Sequence, residues 1–206
     1  GSIKSGFICI PRDMATAAAA TVSTQLLKNT LVKPNYGVQE AVLNSAPSGH
    51  TTLAAAAGAA IFLAAPRSLR PAVAVLGSLA TCLTGMATMI NNWHRPGDVV
   101  SAIFVTAFWT VIGLMVLRYF RRSEFRGGKR TIGSVIVPLL TIATLFLGFC
   151  SVVLYLIVSV SSLPGGVFVA STSMVLAVGT GCAAALIGLL RPRNRPRPAY
   201  TKVWSY

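Results

Sequence analysis

Long apolar runs alternate with short polar segments along the chain. Six runs stand out, at about 14–27, 51–65, 72–90, 99–117, 132–160 and 167–190. A helix needs about 17–25 apolar residues to cross the hydrocarbon core, and all but the first run meet that length or nearly so. The first is Ala-rich and short, and spans only if it continues to about Val32. In lipid, a spanning segment of a single chain must satisfy its backbone hydrogen bonds internally, which leaves helices. The pattern therefore predicts an all-α fold: a polytopic transmembrane bundle of about six spanning helices, forming one domain over residues 1–206. Pro138 falls inside the fifth run, where a kink is expected. Gly58, Gly77, Gly179 and Gly181 fall where small residues let helices pack closely.

Charge fixes the class and the orientation. Only 11% of residues are charged and 54% are hydrophobic. A soluble domain carries about 25% charged residues, so this chain cannot cover a water-facing surface. The net charge of +14 would suit a nucleic-acid partner, but the basic residues sit between apolar runs and in the tail. That is the pattern of cytoplasmic loops, so the expected partner is the bilayer and not nucleic acid. With the N-terminus inside, every Lys and Arg falls on the inner side except Lys28, Lys33 and Arg95. Both termini are then cytoplasmic in a multi-pass cell-membrane protein, with a basic, irregular tail over about 191–206. No long apolar signal-type stretch precedes the first run, so the first helix is expected to remain in the mature protein. The four cysteines are scattered and imply no disulfide or zinc framework.

The exceptions to the charge rule mark the candidate chemistry. The chain has two histidines, His50 and His94, and this topology puts both on the outer face beside Lys28, Lys33 and Arg95. The second and third runs form a hairpin, so its two ends return to one side. His50 lies in Pro47-Ser48-Gly49-His50 at a helix start, where backbone N–H groups favour an anion and Gly49 permits close approach. Ser48 could cap that helix or donate to a phosphate oxygen. Asp98, four residues after His94, is spaced to hold its second nitrogen, and a histidine so oriented is a competent nucleophile. Two lysines nearby would neutralise a phosphoryl group. Trp93 and Trp109 fit interfacial or packing roles better than ligand stacking.

Pro47-Ser48-Gly49-His50 and His94-Arg95-Pro96-Gly97-Asp98 resemble the second and third signature motifs of the type 2 phosphatidic acid phosphatase (PAP2) superfamily. Lys28 with Lys33-Pro34 is similar to its first motif, and the motif core covers about 28–98. The resemblance implies a lipid phosphate phosphatase in which His94 attacks phosphorus, Asp98 orients it and His50 protonates the leaving group. Ser48, Gly49, Lys28 and Lys33 would hold the phosphoryl oxygens, with Arg95 as a further candidate. Two positions differ from the family pattern. Lys33 stands where Arg is usual, closer to Lys28, and Thr88 stands where Arg precedes the nucleophile by six positions.

A metal-dependent mechanism would need several carboxylates, whereas the chain has four acidic residues, Asp13, Glu40, Asp98 and Glu124, and two of them fall on the inner side. No metal and no cofactor are expected. The leading expectation is a phosphatase acting on a lipid phosphate or pyrophosphate at the outer face. The Ala and Arg content fits a GC-rich bacterium and an envelope role. The alternatives are a lipid-phosphate binder without turnover and a small transporter or structural membrane protein.

Overall fold

The computed structural model describes residues 9–30, 46–120, 133–161 and 163–190. They form six helices: α1 (Cys9–Thr30), α2 (Gly49–Ala64), α3 (Arg70–Ile90), α4 (Pro96–Phe120), α5 (Gly133–Val160) and α6 (Gly166–Leu189). No strand occurs among the described residues, and the expected all-α bundle is what the chain forms. Helices α3 to α6 are long and apolar enough to cross a membrane. The apolar α2 has only 16 residues, about 24 Å of helix. At 22 residues α1 has the length but interleaves Thr, Ser, Gln and Lys with its alanines.

Local chemistry explains the boundaries. Helix α4 opens on Pro96, whose missing N–H costs nothing at a first helical position. Leu163–Gly166 is a type II turn, closed by Gly166 N–H to the Leu163 carbonyl at 3.1 Å. Its third residue, Gly165, takes the positive φ of 75° that the turn demands. At the end of α2 the buried Arg70 guanidinium reaches back to the carbonyls of Ala65 (3.0 Å) and Leu63 (3.4 Å). A cation on the last carbonyls of a helix satisfies them and complements the dipole. The expected kink position, Pro138, lies within a helix that runs unbroken from Gly133 to Val160.

Helix α2 lies at the centre, packed on α1, α3 and α4, while α6 packs across α3 and α4 and α5 packs on α6. Where α2 crosses α3, a Cβ on Gly58 would come within 3.2 Å of the Gly77 Cα. Two backbones can meet this closely only where neither residue has a side chain. Gly179 of α6 makes room in the same way for the Cys82 sulfur. Polar ties cross the bundle: Thr24 to Thr52 at 3.1 Å joins α1 to α2, and the Trp109 indole donates to Ser23 at 2.9 Å, joining α4 to α1. Two apolar clusters complete the core. One, around Phe62, Leu114 and Ile187, fills the Arg70 end; the other, around Met89, Val99 and Val175, lies toward the opposite end.

Candidate active site

The start of α2 is built around Ser48. In extended backbone (φ −63°, ψ 117°), it accepts from the Thr51 N–H at 3.4 Å and from the Thr51 hydroxyl at 2.9 Å. This is N-capping, and it draws Ser48 wholly inside the protein. The cap serves Thr51, and the N–H groups of Gly49 and His50 have no acceptor among the described residues. Two unpaired donors at a helix N-terminus favour an anion. Lys28, half-buried at the end of α1, supplies charge to the same place: its Nζ lies 3.3 Å from where a Gly49 Cβ would be. Glycine here is what lets the ammonium approach the helix start.

His94 is set by two backbone devices, one on each side. Helix α3 ends with Asn92 in the left-handed region, φ 56°. The Trp93 N–H bonds the Thr88 carbonyl at 3.0 Å and the Asn92 N–H bonds Met89 at 3.1 Å, the paired bonds of a Schellman ending. The His94 N–H also reaches Thr88, at 3.3 Å. On the other side, Asp98 sits in the first turn of α4 and its Oδ2 accepts from the Arg95 N–H at 3.0 Å. That is the returning half of a capping box, with the carboxylate well placed on the helix dipole. The same Oδ2 stands 3.6 Å from His94 Nδ1, with the His94 and Asp98 side chains only 9% and 4% exposed. Nδ1 is buried and has no partner at hydrogen-bonding distance. The contact is therefore an ion-pair distance slightly longer than a hydrogen bond, which a small closing of the ring would complete. Since Nδ1 is the inward nitrogen, Nε2 is left for chemistry.

One bond joins the two motifs. The Ser48 N–H donates to the Asp98 carbonyl at 2.9 Å, so the start of α2 and the start of α4 are level. Below it, a Cβ on Gly85 of α3 would collide with Val99 of α4 and lie 3.6 Å from the Thr51 hydroxyl oxygen. Three helices thus meet without slack under the site. The His50 and Trp93 rings lie 5.6 Å apart with planes tilted by 34°.

Lys28, Ser48, Gly49, His50, His94 and Asp98, all expected from the sequence, therefore share one end of the bundle. Arg95 is there too, half-buried, with its main-chain N–H in the Asp98 cap. Lys33 lies outside the described residues. Of the two roles left open for Ser48, the structure shows the cap, which turns the side chain inward. The sequence reading missed Thr51, Asn92 and Trp93; adjacency to His94 was the available signal for Trp93. Thr88 holds the turn through its carbonyl, and its buried hydroxyl bonds Gly85 at 2.7 Å. Among the described residues no three His, Cys, Asp or Glu side chains gather.

Beneath the site, past the contact of Gly85 with Val99 and Thr51, lies a partly open cavity of about 60 Å³, lined from α2, α3, α4 and α6. It begins at Ala55 and Ile103, about one and a half turns below His50 and Asp98. Its threonines turn their hydroxyls to their own helices: Thr81 to Gly77 at 2.7 Å, Thr106 to Ala102 at 3.0 Å and Thr110 to Thr106 at 2.7 Å. The walls are thereby apolar.

Comparison with curated proteins and with solved structures gives no match for this chain. Comparison with protein families does: the PAP2 superfamily matches residues 15–124, more than half of the chain and every candidate site residue. Phosphate-ester hydrolysis is the chemistry that this family indicates, and the protein is a membrane-embedded helical member of the PAP2 superfamily.

Proposed function

We propose that the protein is a lipid phosphate or lipid pyrophosphate phosphatase, working through a phosphohistidine on His94 at the extracytoplasmic face of the cell membrane. The observation that carries the reading is the Ser48–Asp98 hydrogen bond, which closes the two motifs so that both histidines flank one anion-binding helix start. In the first step His94 Nε2 forms a bond to phosphorus as the bond to the leaving oxygen breaks. His50 gives that oxygen its proton. Asp98 stabilises the charge that develops on the His94 ring. In the second step water attacks phosphorus, its proton passes to His50, and the N–P bond breaks to release inorganic phosphate and restore His94. The N–H groups of Gly49 and His50, the Lys28 ammonium, and Lys33 and Arg95 stabilise the phosphoryl oxygens. Ser48 assists by capping the helix that presents those N–H groups.

The membrane setting supports a lipid, since a phosphate held at one end of apolar spanning helices can leave its hydrocarbon chain in the bilayer beside them. The scarcity of carboxylates supports metal independence. The test is phosphate release by purified protein in detergent with excess EDTA. The substrates would be phosphatidic acid, phosphatidylglycerol phosphate, a polyprenyl diphosphate and a polyprenyl-phosphoryl sugar whose sugar carries a terminal phosphate. Release from at least one, blocked by vanadate as a five-coordinate mimic, is expected; a strict need for added Mg²⁺ would sink the mechanism. Thr88 favours a second reading, a lipid-phosphate binder without turnover, because its buried hydroxyl brings no positive charge to the site. Tight binding with no release from any of the four substrates would select it.

A further inference from the structure

We infer that Trp93 is a positioning residue whose indole ring holds the His50 imidazole in the orientation from which it donates its proton. The role of His50 rests on the phosphatase reading above; the role of Trp93 rests on geometry. The two histidines are held by different means. His94 is nearly enclosed, between a Schellman ending and a capping box. His50 is exposed at the second residue of α2, and its ring makes no hydrogen bond among the described residues. A side chain in that position would exchange among staggered rotamers, whereas an acid must stay within reach of the oxygen it protonates.

The Trp93 ring supplies the missing constraint. The 5.6 Å separation of the rings is within the range in which aromatic pairs attract. Trp93 is itself anchored, because its N–H is the outer bond of the Schellman ending at 3.0 Å from the Thr88 carbonyl. Its side chain is 53% exposed, so packing in the core does not account for it. It leans from the α3–α4 turn across to α2 and touches the acid. Because Trp93 directly precedes His94, one residue couples the positions of the two reacting groups. The interhistidine spacing then depends on a ring contact as well as on the Ser48–Asp98 bond.

The test compares Trp93→Ala and Trp93→Phe in purified full-length protein, using an alkyl phosphate and an activated aryl phosphate. With the alkyl substrate, Trp93→Ala is expected to lose about tenfold in kcat at little change in KM, the upper range for losing an aromatic pair. With the aryl substrate, whose leaving group needs no proton, the loss is expected to stay within about twofold. Trp93→Phe keeps a ring and is expected to restore most of the alkyl activity. In a His50→Ala background, Trp93→Ala should cost nothing further. Equal losses on both substrates, or additive losses in the double variant, would overturn the inference. A second measurement needs no turnover. With only two histidines in the chain, ring-labelled protein gives two sets of imidazole NMR signals. The His50 set should move on Trp93→Ala through lost ring current, and by more than the His94 set, whose ring is held by its own turn and cap. Unmoved His50 signals sink the positioning role alone, whereas parent protein that releases no phosphate from any substrate sinks the phosphatase reading and the acid role with it.

Discussion

Helices α1 to α4 and the pair α5–α6 solve different problems with similar composition. In the first group polar side chains converge at one end, turn and cap hydrogen bonds fix Ser48, His94 and Asp98, and glycines let α2, α3 and α4 close together beneath. The pair α5–α6 is joined by hydroxyl contacts: Ser151 to the Ala170 carbonyl, Tyr155 to Ser171 and Thr144 to Thr180, each at 2.9 Å. Large apolar side chains such as Leu145, Phe146 and Phe149 stand on α5 about two-thirds exposed, as suits a surface solvated by lipid tails. The family match ends at residue 124, just past α4, so the boundary between the groups is also the boundary of the shared pattern. A reaction needs several groups at fixed separations, which close packing supplies; a lipid-facing helix needs only to be apolar and attached.

The sharpest way to break this contrast is at the nucleophile. On the proposed mechanism, His94→Ala is expected to abolish phosphate release and the acid-labile phosphoenzyme trapped from labelled substrate, because it removes the nitrogen that would carry the phosphoryl group. Turnover in that variant would remove the special status of the first group. Next is Asp98→Asn, which keeps an oxygen for the Arg95 N–H but loses the charge facing His94. A loss of about 10³- to 10⁴-fold in kcat, by analogy with hydrolase triads, is expected with little change in melting temperature. A parallel fall in both would mean that Asp98 acts mainly as a helix cap.

Gly85→Val comes third. Its Cβ alone would collide with Val99, so the helices must part, at about 1–3 kcal/mol for an overpacked core. Thermal unfolding in detergent should show the lower stability, with kcat falling as His94 and His50 separate. Retained activity would show that the close crossing is not what holds the site. The smallest effect is expected in the second group. Ser151→Ala with Tyr155→Phe removes two interhelical hydroxyl contacts, each worth about 0.6 kcal/mol in a membrane, and should leave kcat unchanged. A tenfold fall in kcat there would erase the distinction between the two groups.

The helices were legible in the sequence because apolar runs bounded by charge, Pro or Gly leave little freedom. The run expected over about 72–90 is α3 at Arg70–Ile90, and 132–160 is α5 at Gly133–Val160. The first run was harder, since Thr16 and Thr24, polar along the chain, are buried against neighbouring helices. The positions brought to the site were legible because motif order and a hairpin of similar arms return His50 and His94 to one side. How each group is held was not. A left-handed Asn92 and a Thr88 carbonyl taking two N–H groups are main-chain events, whereas the Ser48 cap was one of the two roles its position offered. The Trp93–His50 contact joins residues 43 positions apart in chain numbering, and only the folded hairpin makes them neighbours.

The shortness of α2 has a consequence for where the reaction happens. Its 16 residues extend about 24 Å, against a hydrocarbon layer of about 30 Å. At one end the buried, charged Arg70 clasps the last carbonyls, and burying that guanidinium deep in hydrocarbon would be costly. If that end stays at the water boundary, the mismatch falls at the other, and His50 stands below the level of the surrounding headgroups. Because α2 is enclosed by α1, α3 and α4, the step is taken up inside the bundle, and a headgroup would have to sink to meet the site. On the proposed phosphatase reading, membrane thickness would then be a reaction variable, setting how far a phosphate must descend before it meets the two histidines.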